Sequence, residues 1–418
     1  MMRSLRCASR LLRPARLPRR GLATCNVLLA ELAARRTTPL SLRTMYEIGR
    51  EGDKMAAARF LHSELPVRMA QRIDELRHMP LGLSSHEAVQ RVISYYEDAV
   101  VELVASEAPR TEATEAAFAR LVGTLLQDNT TVPDSLGRAV QEQTVASGNF
   151  GDDMLHPTKS TGARARLDGA LNRFFTARVG LRLLVEHYLV LRQPPSATAG
   201  PDDSGIIQAR CRPFAVAQDA AIEVQGLFRL RHGREPPEIL IVGDETAEIT
   251  YVTRHMRFCI TELLKNATRA VGERHAKTSK PAPPIKLVIA LGTEDLTIKV
   301  EDLGGGCARS ARHLMWSWFW SSNCDPSGAD MLSGRGIGLP LTRILARYFG
   351  GELSLRPMED YGCDAYLHLN RLGNKCENLP SIVRASPAES DSTLPASYLH
   401  FDEAPHAAAD AARAKRTY

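Results

Sequence analysis

Apolar residues recur at three- and four-residue spacing almost throughout residues 38–193, and alternation with a period of two is hardly visible there. That spacing places the apolar side chains on one face of an α-helix. The segment LDGALNRFFTARVGLRLLVEHYLVL shows it clearly, with a stripe formed by Leu171, Phe174, Phe175, Val179, Leu183 and Tyr188. The pattern predicts several long helices joined by short turns, most simply an antiparallel bundle of the four-helix type.

The hydrophobic period changes after a Pro-, Gly- and Ser-rich stretch, Arg192 to Gly205, whose composition is that of a linker or mobile loop. An apolar run spans Glu238 to Val242, IKLVIAL and LTIKVED flank a turn at Gly292, and GELSL and CDAYLHL follow. These runs predict strands, with helices between them. Residues 206–372 are therefore expected to form an α+β domain with helices on one face of a sheet.

The formal net charge of +5 is concentrated at the N-terminus, where seven arginines precede Glu31, the first acidic residue. The rest of the chain is near neutrality, so charge gives no argument for binding nucleic acid. An Arg-rich, acid-free segment with interleaved leucines is typical of a mitochondrial presequence, which we predict for residues 1–30. A disordered basic tail has the same composition.

Three further patterns narrow the class of protein. No run of about 18 apolar residues occurs, so no membrane span is predicted. The eight cysteines are scattered without a CxxC pair, which argues against a zinc site or a disulfide framework and suits a reducing compartment such as the mitochondrial matrix. Residues 377–418 turn to Ala, Pro, Ser and Asp, which predicts a low-complexity, poorly ordered tail.

The segment CITELLKNATRAV, Cys259 to Val271, is the first of three with candidate chemistry. Its apolar residues share one helix face, and the opposite face carries Glu262, Lys265, Asn266 and Arg269. A solvated helix face explains that division by itself. A carboxylate and an amide one turn apart, next to two cations, are also suited to binding a metal ion and phosphate.

The second segment follows a predicted strand, where Asp302 precedes Gly304, Gly305 and Gly306. A carboxylate at a strand end can accept a hydrogen bond from an exocyclic amine such as that of adenine. The glycines allow a ligand to approach the backbone closely, although a plain glycine turn has the same sequence.

The third segment is SGRGIGLPLTRILARYFGG, in which Gly334, Gly336 and Gly338 alternate before a helix with Pro340 in its first turn. Backbone N–H groups of such a loop, with the positive end of a helix behind them, form a phosphate cradle. No strand runs directly into the loop, so it differs from the dinucleotide-binding βαβ motif.

The three segments, taken in this order, resemble the asparagine box and the two glycine boxes of the GHKL ATPase superfamily. The bundle segments FLHSELPVRMAQRI and TARVGLRLLVEHYLVL are in addition similar to those of the mitochondrial 2-oxoacid dehydrogenase kinases. The resemblance covers roughly Thr38 to Leu372. It implies an N-terminal helix bundle with regulatory and partner-binding roles, followed by a GHKL (Bergerat) α/β-sandwich that binds ATP.

The resemblance also implies roles for single residues. Glu262 is expected to be the catalytic base and Asn266 the ligand of Mg²⁺, and Leu303 to Ser333 the ATP lid. ATP and Mg²⁺ are the expected cofactors, and K⁺ is a further one that the family suggests. The expected nucleotide contacts are Glu262, Lys265, Asn266, Arg269, Asp302, Gly304, Gly306, Ser321, Ser322, Gly334, Arg335, Gly336, Ile337, Gly338 and Leu339.

Within this family the sequence is nearer the branched-chain enzyme than the pyruvate enzymes. Phe258, four residues before Glu262, is aromatic as in the branched-chain kinase, SGIIQARCRP reads like its segment, and the C-terminal Asp-Trp pair of the pyruvate kinases is missing. The expected function is therefore phosphorylation of the E1α subunit of a branched-chain 2-oxoacid dehydrogenase complex, which inactivates it. A pyruvate dehydrogenase kinase and a protein-histidine kinase are the alternatives.

The expected partners are the E1α substrate, the lipoyl-bearing E2 core and a second copy of the chain, in the mitochondrial matrix. Three positions depart from the family pattern: Leu303, Cys363 and Asp128. The departures at Leu303 and Cys363 leave a non-catalytic scaffold open. A chaperone-like ATPase of the same fold is a further alternative. MWSWFW within the lid holds all three tryptophans, which are expected to dock on a partner, close over ATP or pack against the domain.

Overall fold

The computed structural model describes residues 22–146, 161–194, 200–276, 281–321 and 336–380. Residues 1–21 of the predicted presequence and residues 381–418 of the predicted tail lie outside this part of the chain. Within it, helices come first and a sheet follows, which confirms the predicted α+β architecture. None of the helices in the described ranges is long and apolar enough to cross a membrane.

The N-terminal half is helical, as its hydrophobic period predicts. Helix α3 packs against α1, α4, α5 and α7, and the predicted stripe on α7 is buried except for Val179, which is half-buried. Large aromatic side chains fill the space between these helices. The helices are α1 Leu22–Ala33, α2 Leu42–Glu51, α3 Lys54–Arg77, α4 Glu87–Ala105, α5 Glu112–Asp128, α6 Val132–Ala146 and α7 Thr161–Leu191.

Helix α1 spans the predicted boundary between presequence and bundle at residue 30. Leu29 and Leu32 are buried in the hydrophobic core, and α1 packs along α3. Residues 22–30 therefore belong to the folded unit. The sequence concealed this because the arginine content of residues 1–20 dominates the composition of the whole N-terminal segment.

The C-terminal half is built on a five-stranded mixed sheet in the order β2-β4-β5-β7-β6, and a separate two-stranded sheet pairs β1 with β3. Strands β2 and β4 are parallel and the other pairs of the large sheet are antiparallel. The strands are β1 Gln208–Cys211, β2 Ile239–Gly243, β3 Ile249–Tyr251, β4 Ile285–Leu291, β5 Asp295–Asp302, β6 Glu352–Met358 and β7 Gly362–Asn370.

Three helices accompany this sheet: α8 Pro213–His232, α9 Thr253–Arg274 and α10 Gly338–Tyr348. The predicted hairpin is present, with Leu291 of β4 paired to Leu296 of β5. Alternate residues of β5 are buried beneath the helices, including Leu296, Ile298 and Val300. Strands β1 and β3 were not predicted, since they are only four and three residues long.

A buried ionic network joins the two halves of the chain. The Glu377 carboxylate accepts hydrogen bonds from Arg68 Nη2 at 2.8 Å, from the Leu40 backbone N–H at 3.0 Å and from the Tyr348 hydroxyl. Arg68 also donates to Glu64 at 2.8 Å. Glu377, the first residue of the predicted tail, is thus buried between the bundle and α10.

Candidate nucleotide site

Helix α9 carries the first group of predicted site residues. Its apolar face is buried against α8 and the sheet, and the opposite face is only half-buried. Glu262, Lys265, Asn266 and Arg269 all lie on that opposite face and are half-buried. The helix therefore presents them together, in the spacing that the sequence predicts.

An ion pair sets the position of the Glu262 carboxylate. Lys265 Nζ lies 2.9 Å from Glu262 Oε1, and each side chain is only 14% exposed. The prediction gave Lys265 a role in neutralising phosphate charge, whereas here its ammonium group contacts the proposed base. A lysine three residues along the helix restricts the rotamers of the glutamate and so orients its free oxygen.

The first glycine segment lies directly beside α9. Asp302 Oδ1 accepts the backbone N–H of Gly304 at 2.8 Å, and the carboxylate also accepts the N–H of Cys363 on the neighbouring strand. A Cβ on Gly304 would lie 2.4 Å from the Cβ of Ala270, so glycine allows the loop to contact the helix. Gly306 follows at the exposed end of the segment.

The second glycine segment meets the same helix from the other side. Gly336, Ile337, Gly338 and Leu339 are half-buried at the start of α10. A Cβ on Gly338 would lie 2.1 Å from Glu262 Oε2, so a larger residue there would displace the Glu262 carboxylate. The free N–H groups of the first turn of α10 therefore lie next to the catalytic candidate, as phosphate binding requires.

The remaining predicted contacts are placed only in part. Ser321 is half-buried and ends the described part of the lid. Ser322, Gly334 and Arg335 lie outside the described residues. The donor set that is described fits Mg-ATP: an amide oxygen for the metal, cations and helix N–H groups for phosphates, and a buried carboxylate for an amine.

One feature of the site was missed by sequence reasoning. Trp318 is fully buried, and its partners are Asp168, Asn172 and Phe175 of the helical bundle. For the tryptophan-rich segment, the sequence predicts packing against its own domain as one of three alternatives. Contact with α7 could not be found from the sequence, because the partners are about 150 positions away.

Burial raises the pKa of the Asp302 carboxyl to about 6, although the N–H groups of Gly304 and Cys363 lower it. The carboxylate is ionised above pH 6 and protonated below it, so its ability to accept from an adenine amine decreases as the pH falls. We expect the Kd for ATP to increase by up to about tenfold per pH unit below pH 6.

The matched control is Asp302→Asn, which keeps the size of the side chain and removes its titration. Titration of ATP itself is common to both proteins. The pH dependence of ATP binding, measured by calorimetry from pH 5 to 8, should therefore be steeper in the wild type. Parallel curves for the two proteins would show that Asp302 does not recognise the nucleotide.

Comparison with known proteins agrees with this fold. Residues 39–208 match the family described as mitochondrial branched-chain alpha-ketoacid dehydrogenase kinase. Residues 251–372 match the histidine kinase-, DNA gyrase B- and HSP90-like ATPase family. The second match contains α9, the Asp302 segment and α10.

Three relatives extend the similarity across both halves. A mitochondrial [pyruvate dehydrogenase (acetyl-transferring)] kinase of Arabidopsis thaliana is 36% identical over 360 residues, covering 82% of this chain and 93% of the relative. The kinase of the same name in Schizosaccharomyces pombe is 31% identical and covers 82% and 95%. Human isozyme 4 is 30% identical and covers 82% and 84%.

Fold, site and relatives together define an ATP-dependent protein kinase built on the GHKL ATPase fold. The chain belongs to the family of mitochondrial 2-oxoacid dehydrogenase kinases.

Proposed function

We propose that the chain is a mitochondrial pyruvate dehydrogenase kinase. It transfers the γ-phosphoryl group of ATP to a serine hydroxyl of the E1α subunit and thereby inactivates the dehydrogenase complex. The observation that carries this proposal is the similarity to pyruvate dehydrogenase kinases along 93% and 95% of the length of two relatives. Those relatives favour the pyruvate complex over the branched-chain complex that the sequence features around Phe258 favoured.

A branched-chain substrate is retained as the second candidate. The family that matches residues 39–208 is described as the branched-chain kinase, and Phe258 lies half-buried on α9 one turn before Glu262. The first of these observations concerns the helical bundle, and the second concerns a single side chain. The relatives match 82% of the chain, across both of its halves, and we give them the greater weight.

Catalysis in this proposal depends on position and charge. Glu262 accepts the proton of the substrate hydroxyl, and a positioned base of this kind contributes about 10²–10⁴ in rate. Its carboxylate is held by Lys265 at 2.9 Å and by the close packing of Gly338. Arg269 on the same face neutralises charge on the phosphates, which supplies much of the catalysis in phosphoryl transfer.

Asn266 is proposed to hold Mg²⁺ through its side-chain carbonyl oxygen. It lies one turn after Glu262, on the half-buried face of α9. One protein oxygen would be sufficient, because Mg²⁺ usually keeps several waters. If it is bound there, the ion would supply neutralisation of phosphate charge. K⁺ stays a prediction from the family resemblance.

A serine acceptor is favoured over histidine by the surroundings of His62. Its Nε2 lies 3.2 Å from the carbonyl oxygen of Ser106, and its ring packs edge-on against Phe118 at 5.6 Å. His62 is thus half-buried in the bundle, with Nε2 engaged by a backbone carbonyl, whereas a histidine at a helical position is more often packed than reactive.

The partners of this proposed function are the E1α subunit and the lipoyl-bearing E2 core, with a homodimer as the assembly. The Arg-rich N-terminus supports a matrix location, and the names of the three relatives include the word mitochondrial. The dimer stays a prediction. Leu240 and Val242, 41% and 47% exposed on edge strand β2, are an apolar surface that it could cover.

The test incubates the purified chain with labelled Mg-ATP and two separate substrates, the pyruvate-type and branched-chain E1 components. We expect acid-stable label on the pyruvate-type E1α at a rate at least about tenfold above that on the branched-chain E1α. Glu262→Gln is the matched control for contaminating kinases, because it keeps the size of the side chain and removes the base. Faster labelling of branched-chain E1α would establish the second candidate instead.

A further inference from the structure

Residues 317–320 extend from the sheet domain to the helical bundle, and Trp318 is the most deeply buried residue of this segment. Its side chain is fully buried, whereas Trp316, Phe319 and Trp320 around it are half-buried. A loop that buries its largest side chain loses considerable conformational entropy. The contacts of Trp318 must therefore offset that cost.

Those contacts come from one face of α7. Asp168 Oδ1 accepts the backbone N–H of Trp318 at 3.0 Å, and its Oδ2 accepts the Ser317 hydroxyl at 2.8 Å. Asn172 Oδ1 accepts the indole N–H at 2.8 Å. The ring of Phe175 stacks on the indole with centroids 4.1 Å apart and planes at 15°. Positions four and three residues apart share a helix face, so α7 presents all three partners at once.

The same segment holds the second glycine loop. The Phe319 N–H donates to the carbonyl oxygen of Gly336 at 2.8 Å. Gly336 has a φ of +68°, and a Cβ there would lie 2.4 Å from the backbone N and O of Trp320. The Phe319 ring packs against Gly137 of α6. Residues 317–320 therefore join two bundle helices to the loop that precedes α10.

That loop in turn reaches the reaction centre, because Gly338 lies against the Glu262 carboxylate. A continuous chain of contacts runs from α7 through Trp318 and Gly336 to Gly338. We propose that Asp168, Asn172, Phe175 and Trp318, here named the indole clasp, are positioning residues that set the nucleotide affinity. The bundle thus contributes to ATP binding without touching ATP. This inference rests on the proposed function in taking ATP as the nucleotide.

The test measures ATP affinity in variants of the clasp, using the full chain. Trp318→Phe keeps an aromatic ring on Phe175 and removes the indole N–H, and Asn172→Ala removes the acceptor. Each should raise the Kd for ATP about threefold, and Trp318→Ala about tenfold. The matched control is Thr124→Ala on the bundle helix α5, which removes an exposed hydroxyl that donates to the Arg120 carbonyl oxygen of the same helix at 3.2 Å. It should change the Kd less than about twofold.

Non-additivity identifies the clasp as one unit. Trp318→Phe and Asn172→Ala remove the same hydrogen bond. The Kd of the double variant for ATP should therefore be no higher than that of the single variant with the higher Kd. In steady state, the KM for ATP should increase with the Kd, while kcat changes less than about threefold. Additive effects of the two substitutions on the Kd would overturn the coupling between them.

A purely structural role predicts a different result: a lower unfolding temperature and an unchanged Kd for ATP at a temperature where all variants are folded. That outcome, in Trp318→Phe and Asn172→Ala alike, would overturn the proposal. The proposed function is contradicted if the wild-type protein labels neither of the two E1 components. The two failures are therefore distinguishable, since the clasp is judged by ATP binding and the function by transfer.

Discussion

Asn266→Ala is expected to abolish measurable Mg-ATP binding while the protein remains folded. The amide is half-buried on α9, and alanine is a strong helix former, so the helix itself should be unaffected. Loss of a residue that merely supports a metal ligand costs about 10–100-fold in metal affinity. Loss of the proposed ligand itself should weaken Mg-ATP binding at least as much, which calorimetric titration would detect.

Two companion variants make this result specific. Asn266→Asp keeps an oxygen at the position and should retain part of the Mg-ATP affinity. Arg257→Ala lies on the same helix in an exposed ion pair with Glu223 at 3.0 Å, and should bind ATP like the wild type. Unchanged affinity in Asn266→Ala would place the metal elsewhere and remove the reason for the Glu and Asn spacing.

Glu377→Ala should be the most destabilising single change in the described part of the chain outside the hydrophobic core. It leaves the Arg68 guanidinium buried without its bidentate partner, since Arg68 and Glu377 are 3% and 0% exposed. Breaking a buried ion pair from one side costs about 3–5 kcal/mol. Denaturant unfolding at neutral pH should show a lower midpoint by a corresponding amount.

The matched comparison is Glu112→Gln, which breaks the exposed pair between Lys54 and Glu112 at 3.1 Å. An exposed pair of this kind contributes about 0–1 kcal/mol, so the midpoint should scarcely change. Equal effects of Glu377→Ala and Glu112→Gln would mean that the network between bundle and α10 does not hold the two halves together.

Helices and strands could be predicted from the sequence where one face of the helix or strand is buried and the opposite face is not. The α7 stripe from Leu171 to Tyr188 and the alternation from Leu296 to Val300 follow from that asymmetry, and both are found in the structure. Strands β1 and β3 are too short to show a period, and were missed. The arginine-rich run before α1 extends the predicted presequence to residue 30, although Leu29 on this helix is buried in the core.

The site was predictable to the extent that its chemistry is local in sequence. Glu262 and Asn266 share a helix face by their spacing alone, and any side chain at position 338 would displace the Glu262 carboxylate. Long-range pairs left no such signal. Arg68, the partner of Glu377, is 309 positions away, so composition alone assigned Glu377 to the tail. The partners of Trp318 are on α7, so the sequence left undecided which surface Trp318 contacts.

The most direct test of the central claim is phosphate transfer in a single turnover, with wild type and Glu262→Gln compared at saturating Mg-ATP and pyruvate-type E1. If α9 and the two glycine segments form one kinase site, the variant should bind ATP with little change and transfer label about 10²–10⁴-fold more slowly. Equal rates of labelling by the two proteins would contradict the assignment of Glu262 as the base.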